Sequence, residues 1–135
     1  MKIIGLTGPS GSGKSSVAKI AEKLNFAVID CDKVARYTVE NNIDLKQALA
    51  KSFGDDILDE NQVLDRKKLA ARAFSTPQNT KILNETTLPF IVNNVTEIIN
   101  THKSTGKDKI LLDAPTLFES GLDSICNAVI AVLSD

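Results

Sequence analysis

The sequence predicts an α/β fold in which helices cover both faces of a parallel β-sheet. Short apolar stretches of strand length occur at residues 2–7, 27–30, 109–113 and 128–133. Between most of them, apolar residues recur at helical spacing. Parallel strands need a long connection, usually a helix, so strands that alternate with helices indicate this class.

Length and composition agree with one domain. At 135 residues, the chain is long enough for one hydrophobic core. It has no apolar run near the roughly 18 residues of a membrane span, and its N-terminus lacks a signal-peptide pattern. We therefore expect a cytoplasmic protein with no membrane partner. A net charge of −1 argues against nucleic acid as a partner. Cys31 and Cys126 form no CxxC pair and are expected to be free thiols.

The first elements are a strand, a loop and a helix. Residues 2–7 (KIIGLT) predict a buried strand. After a glycine-rich loop, apolar residues at helical spacing predict an amphipathic helix: Val17, Ile20, Ala21 and Leu24. Residues 27–30 (AVID) predict the second strand.

The middle of the chain is predicted to be mainly helical. Helices are expected at residues 32–40 and 45–53, with Gly54 ending the second of them. Residues 58–64 are turn-rich, and Asp65 is a candidate N-cap for the next helix. Another helix is expected to start at Pro77 and to be kinked or split by Pro89. Strands at 109–113 and 128–133 complete the pattern.

One stretch carries a specific chemical signal. Residues 8–15, GPSGSGKS, match G-x-x-x-x-G-K-[ST] at every fixed position. Glycines let the backbone N–H groups approach phosphates, the lysine reaches the β- and γ-phosphates, and the final hydroxyl binds Mg²⁺. The preceding strand and following helix are the context that this motif requires, so we expect a three-layer P-loop NTPase fold. GTPases, motor ATPases and small-molecule kinases share the motif, but the sequence has no Asn-Lys-x-Asp segment for guanine.

Carboxylates follow two of the predicted strands. Asp30 and Asp32 come at the end of the second strand, and in an extended chain both would face the ligand crevice. A carboxylate there could orient an acceptor hydroxyl or take its proton; alternatively, Asp32 caps the next helix. Asp113 ends the 109–113 strand and is a candidate for the Mg²⁺ site, or a turn former before Ala114-Pro115.

Four segments together resemble the dephospho-CoA kinase family: GLTGPSGSGKSS, VIDCDKVAR, LDRKKLAARAF and LLDAPTLFESGLD. They occur in the family's order and span most of the chain. The resemblance implies a P-loop kinase that transfers the γ-phosphoryl group of ATP to the ribose 3′-hydroxyl of dephospho-CoA. It implies one kinase domain over residues 1–135, with a nucleotide-binding core at 1–32 and 107–135 and a mainly helical substrate-binding part at 33–106. A nucleoside monophosphate-type kinase and a non-catalytic ATP-binding fragment are the alternatives.

The resemblance also implies roles for individual residues. It assigns the ATP phosphates to Gly11, Ser12, Gly13, Lys14, Ser15 and Ser16. It assigns Mg²⁺ to Ser15 and Asp113, and catalysis to Lys14 with Asp32 as the base. It assigns dephospho-CoA to Asp32, Arg36, Arg66, Pro115, Leu117 and Glu119.

The sequence departs from the family pattern in two places. Leu88 precedes Pro89 where the family usually has a histidine, and leucine has no hydrogen-bonding group. Family members continue past the position of residue 135 with a lid that carries arginines, whereas the three arginines here are Arg36, Arg66 and Arg72. We therefore expect a fold that is incomplete at the C-terminus, and a chain that binds nucleotide but transfers phosphate poorly.

Overall fold

The sheet has four parallel strands in the computed structural model, which describes residues 1–9, 13–115, 117 and 121–133. The strands are β1 (Lys2–Thr7), β2 (Ala27–Asp30), β3 (Lys109–Asp113) and β4 (Ala128–Ala131). Their order across the sheet is β2-β3-β1-β4. All four carboxyl ends therefore lie at one edge, where α/β proteins bind ligands.

Strand β3 is buried on both faces. Ile110, Leu111 and Leu112 are 0%, 2% and 0% exposed. Because successive side chains of a strand point to opposite faces, three consecutive buried residues mean that both faces are covered. On one face, Leu111 packs with Leu6 of β1 and with Ala21 of the first helix. The predicted α/β class with a parallel sheet is confirmed.

The described residues form five α-helices. They are α1 (Lys14–Lys23), α2 (Cys31–Asn41), α3 (Ile43–Phe53), α4 (Arg66–Ala73) and α5 (Pro77–Ser104). Side chains that accept backbone N–H groups start two of them: Asn42 Oδ1 bonds Leu45 N at 2.9 Å, and Asp65 Oδ1 bonds Lys68 N at 3.2 Å. The Asp65 cap was predicted from the sequence. Within the described residues, none of these helices is long and apolar enough to cross a membrane.

Two local features add to the prediction. Helix α5 runs through Pro89 without being split. Proline removes one hydrogen bond of the helix, but the neighbouring turns bury Thr87 and Ile91, which are 7% and 9% exposed. On α1, the predicted apolar stripe is only partly covered, because Ile20 and Leu24 are 58% and 57% exposed.

The chain divides into two compact units, Met1–Val34 with Val92–Asp135, and Ala35–Ile91. The first unit holds the sheet, here called the sheet unit. The second, the helical unit, has its own core, whose fully buried side chains are Leu45, Leu49, Ile57 and Ala73. Within this division, α5 belongs to the helical unit up to Ile91 and to the sheet unit from Val92 onward. The division into a nucleotide-binding core at 1–32 and 107–135 and a substrate-binding part at 33–106 stays a prediction.

Candidate active site

The carboxyl ends of β1, β2 and β3 bring polar residues together. Asp30 of β2 is the register partner of Asp113 of β3. Asp113 is in turn the partner of Leu6 of β1. Neighbouring strands are about 4.8 Å apart, so residues from three distant parts of the chain lie side by side at this edge.

A cavity of about 420 Å³ lies at this edge of the sheet unit. It is lined by Gly13, Lys14, Ser15, Asp30, Asp32, Asp113 and Pro115. These residues come from the glycine-rich motif, the end of β2 with the start of α2, and the end of β3. The volume is within the range of small-molecule sites.

Lys14 carries the positive charge of the cavity. Its Nζ donates a hydrogen bond of 3.0 Å to Asp113 Oδ1, and its side chain is 10% exposed. The Asp113 side chain is 23% exposed. A largely buried ammonium group needs a partner, and a carboxylate at hydrogen-bonding distance supplies one.

Gly13 is the N-cap residue of α1, which begins at Lys14. Its φ of 97° lies in the left-handed region that favours glycine. Its carbonyl accepts hydrogen bonds from Ser16 N at 3.1 Å and Val17 N at 3.3 Å, which form the first turn. The positive end of the α1 dipole thus lies at the cavity, as suits an anion. Gly11 and Ser12 lie outside the described residues.

Asp30 and Asp32 reach the cavity by a route that differs from the prediction. The chain is not extended through Asp32, because α2 begins at Cys31. Asp30 Oδ1 accepts a hydrogen bond from Lys33 N at 3.2 Å, so Asp30 caps α2, the role that the sequence offers as the alternative for Asp32. Asp32 lies in the first turn and remains exposed. Its carboxylate is therefore not used to cap α2.

Cys31 lies between these two aspartates but is buried, at 5% exposed. Its Sγ is 3.9 Å from the carbonyl oxygen of Ile29. Burial, followed by the negative charges of Asp113, Asp30 and Asp32, raises the pKa of the thiol to about 12. The thiol therefore stays protonated near neutral pH and provides no nucleophile.

The cavity residues fit a magnesium ion that arrives with phosphates. Three aspartates and one lysine give the cavity lining a formal charge of −2. Among the described residues, no group of three or more His, Cys, Asp or Glu side chains is arranged to hold a metal ion. Mg²⁺ commonly takes one or two carboxylates and completes its shell with phosphate oxygens and water. Asp113 and the Ser15 hydroxyl suit that arrangement.

Arg36 and Arg66 line a second cavity, of about 300 Å³, in the helical unit. Both side chains are exposed, and the other lining residues are apolar: Ala35, Val39, Leu64, Leu69, Ala70, Ala73, Phe74 and Leu83. Arg66 Nη2 forms an ion pair with Glu40 Oε1. Apolar walls with two guanidinium groups suit an amphiphilic, phosphorylated ligand.

Arg72 has a structural role that the sequence did not reveal. Its Nη1 and Nη2 donate to the two carboxylate oxygens of Asp56 at 2.6 and 2.7 Å, and Nη1 also donates to the carbonyl oxygen of Phe53 at 2.7 Å. The hydrogen bonds from Arg72 lower the pKa of Asp56 to about 2. Spacing alone gave no signal for this contact, because the two residues belong to different elements.

The remaining predicted substrate residues are Pro115, Leu117 and Glu119, and the outcome differs for each of them. Pro115 lines the sheet-unit cavity. Leu117 is 0% exposed and packs beside Gly5, where an added Cβ would lie 2.6 Å from Leu117 Cδ2. The structure therefore puts Leu117 in the core. Glu119 lies outside the described residues.

P-loop phosphate-binding proteins have a parallel sheet and, at the carboxyl edge of that sheet, a helix that follows a glycine and begins with a lysine. The chain has these features and belongs to this class. The dephospho-CoA kinase family model matches residues 2–135. The chain belongs to the dephospho-CoA kinase family. Curated relatives include dephospho-CoA kinases of Corynebacterium diphtheriae, 40% identical over 98% of this chain, and of Fusobacterium nucleatum, 38% identical over 98%.

Solved structures agree with this assignment. A Thermus thermophilus crystal structure matches 97% of this chain and 64% of its own, with 30% identity and a TM-score of 0.76. Dephospho-CoA kinase from Campylobacter jejuni matches 96% of this chain and 66% of its own, with 27% identity and a TM-score of 0.72. The chain spans 66% of the Corynebacterium diphtheriae relative and 67% of the Fusobacterium nucleatum relative, about two thirds in each case.

Proposed function

We propose that this protein transfers the γ-phosphoryl group of ATP to the ribose 3′-hydroxyl of dephospho-CoA, which forms coenzyme A in the last step of its synthesis. The observation that carries the proposal is the cavity that Lys14, Asp32 and Asp113 line together in a chain of this family. The family match favours dephospho-CoA over a nucleoside monophosphate as the acceptor.

On the donor side, Lys14 binds the β- and γ-phosphates with the backbone of Gly11, Ser12, Gly13, Ser15 and Ser16. The α1 N-terminus adds partial positive charge. A triphosphate entering a cavity of formal charge −2 is repelled unless a cation comes with it, which supports Mg²⁺ as the partner of ATP. Ser15 and Asp113 would hold that ion, and Mg²⁺ would neutralise charge on the phosphates.

On the acceptor side, Asp32 is the proposed base. Its carboxylate takes the proton of the 3′-hydroxyl as that oxygen attacks the γ-phosphorus, and the bond to the β–γ bridging oxygen breaks to release ADP. Its exposure leaves the carboxylate accessible to an acceptor. Arg36 and Arg66 bind phosphates of dephospho-CoA, and Pro115 and Glu119 form part of its site, whereas the buried Leu117 supports the core. A cytoplasmic location belongs to the same proposal.

The direct test is product analysis. The chain is incubated with ATP, Mg²⁺ and dephospho-CoA, and coenzyme A and ADP are quantified by chromatography. A parallel reaction offers AMP as the acceptor. The expected result is coenzyme A and ADP in equal amounts, with AMP unchanged. Phosphorylation of AMP without coenzyme A, or ATP binding without transfer to either acceptor, would contradict the proposal.

A further inference from the structure

We propose that Thr7 is a positioning residue of the metal–nucleotide site. Its hydroxyl group ties the segment that carries Asp113 to the start of the loop that carries Lys14. The inference rests on the proposed function, because it concerns how the site binds ATP with Mg²⁺.

The contact joins the end of β1 to the segment that follows β3. Thr7 is the last residue of β1 and is 9% exposed. Its Oγ1 donates a hydrogen bond of 3.1 Å to the carbonyl oxygen of Pro115, 108 positions away. Pro115 lines the cavity. The hydrogen bond therefore connects a residue that lines the cavity to the end of β1.

The Thr7 hydroxyl group bonds a carbonyl that lies beyond the backbone pairing of β1 with β3. Backbone pairing of β1 with β3 ends as Ala114 N donates to Leu6 O at 2.9 Å. The Thr7 carbonyl is already used on the other side, where it accepts from Val132 N at 2.9 Å. The Pro115 carbonyl, beyond the end of the ladder, is part-buried and accepts from a side chain instead.

The Thr7–Pro115 hydrogen bond and the Lys14–Asp113 ion pair connect the same two parts of the chain. Lys14 follows Thr7 through the phosphate loop, and Asp113 precedes Pro115 by two residues. Without the hydroxyl group, Asp113 would still be held at Oδ1 by Lys14, and Ala114 N would still bond Leu6 O, but Pro115 would lose its hydrogen bond to β1. Mutating a group that orients a metal ligand typically costs about 10- to 100-fold in metal affinity or activity. Removing the Thr7 hydroxyl group should therefore reduce the amount by which Mg²⁺ strengthens ATP binding.

The test compares ATP dissociation constants, measured by calorimetry in excess Mg²⁺ and in EDTA. Thr7→Val keeps the shape and the backbone bonds of Thr7 and removes the hydroxyl group. We expect the EDTA-to-Mg²⁺ ratio of dissociation constants to fall about tenfold. Thr7→Ser keeps the hydroxyl group and should keep the wild-type ratio. The control is Thr96→Val, because the Thr96 hydroxyl bonds only within its own helix, to Val92 O at 2.8 Å.

The outcomes separate this inference from the proposed function. A wild-type chain that binds no ATP overturns both. A Thr7→Val chain that binds ATP with the wild-type ratio overturns the role of Thr7 alone. Equal weakening of both constants also overturns it, since that result indicates a general structural effect. If circular dichroism shows that Thr7→Val is unfolded, Thr7→Ser decides: a wild-type ratio supports the role, and a reduced ratio contradicts it.

Discussion

Lys14 and Asp113 are 99 positions apart in the sequence, yet they share a hydrogen bond of 3.0 Å at the carboxyl edge of the sheet. The parallel pairing of β1 with β3 makes this contact possible, because it brings the residues that follow β1 next to the end of β3. One charged pair thus connects the proposed nucleotide loop to the proposed metal ligand.

Lys14→Met should weaken ATP binding about 10- to 100-fold, because methionine has a similar length but cannot donate a hydrogen bond to phosphate. Calorimetric titration with ATP and Mg²⁺ measures the change. Lys19→Met is the matched control, since Lys19 lies on the exposed surface of the same helix. Equal affinities of the two variants would remove Lys14 from the phosphate site.

Asp32→Asn should lower the rate of transfer to dephospho-CoA by about 10²- to 10⁴-fold, because asparagine cannot take the proton of the acceptor. The affinity for ATP should change little, since Asp32 is assigned to the acceptor side. Single-turnover kinetics and ATP titration report the two effects separately.

The control for Asp32 is Asp44→Asn. Asp44 is also an exposed aspartate in the first turn of a helix, but it lies on α3. Both variants should lose a similar, small helix-dipole contribution. If Asp32→Asn transfers phosphate as fast as Asp44→Asn does, the base lies elsewhere.

Cys31 should resist thiol reagents while the chain is folded. A pKa of about 12 leaves roughly one thiol in 10⁴ ionised at pH 8, and the side chain is also buried. In a Cys126→Ser variant, Cys31 is the remaining cysteine. Its reaction with a disulfide reagent should be slow in buffer and fast in urea. Fast reaction in buffer would show that the start of α2 opens readily.

Asp56 should make stability depend on acid pH. Its pKa is about 2 in the folded chain, compared with 3.8 as the ordinary value. The carboxylate's contribution is therefore complete above about pH 5 and is lost as the pH falls through 3.8 towards 2. Asp56→Asn should lower the urea midpoint at pH 7, and its difference from the wild type should shrink below pH 4.

Asp55→Asn is the neighbouring control for that experiment. Asp55 is exposed like Asp56, but the carboxylate that receives both guanidinium nitrogens of Arg72 belongs to Asp56. A gap between Asp56→Asn and the wild type that stays constant down to pH 3 would contradict the pKa shift.

Local signals in the sequence were sufficient to predict most of the fold. Asp65 marks the start of α4 and Gly54 the end of α3, because capping and positive φ depend on one or two residues. Of the two predicted effects of Pro89, a split of the helix does not occur. The cost of a proline is local, whereas the burial that keeps α5 continuous comes from residues on both sides of it.

The site was predictable to the extent that it depends on strand ends. The motif located Lys14, and the parallel pattern put Asp30 and Asp113 at one edge. Asp30 caps α2 because the helix begins at Cys31. Sequence patterns locate a helix boundary only to within one or two residues, so they could not distinguish Asp30 from Asp32 as the cap. The Thr7–Pro115 contact joins residues 108 positions apart, and the spacing of residues in the sequence does not predict a contact over such a separation.

The strand order also constrains how the chain can fold during synthesis. β1 and β2 emerge first from the ribosome, but they are not neighbours, because β3 lies between them. The sheet therefore cannot assemble until residue 113 has been made, whereas the helical unit, residues 35–91, is complete earlier and is built from shorter-range contacts. That unit is expected to fold first, and closure of the sheet around β3 to be the slow step that commits the nascent chain to its native structure.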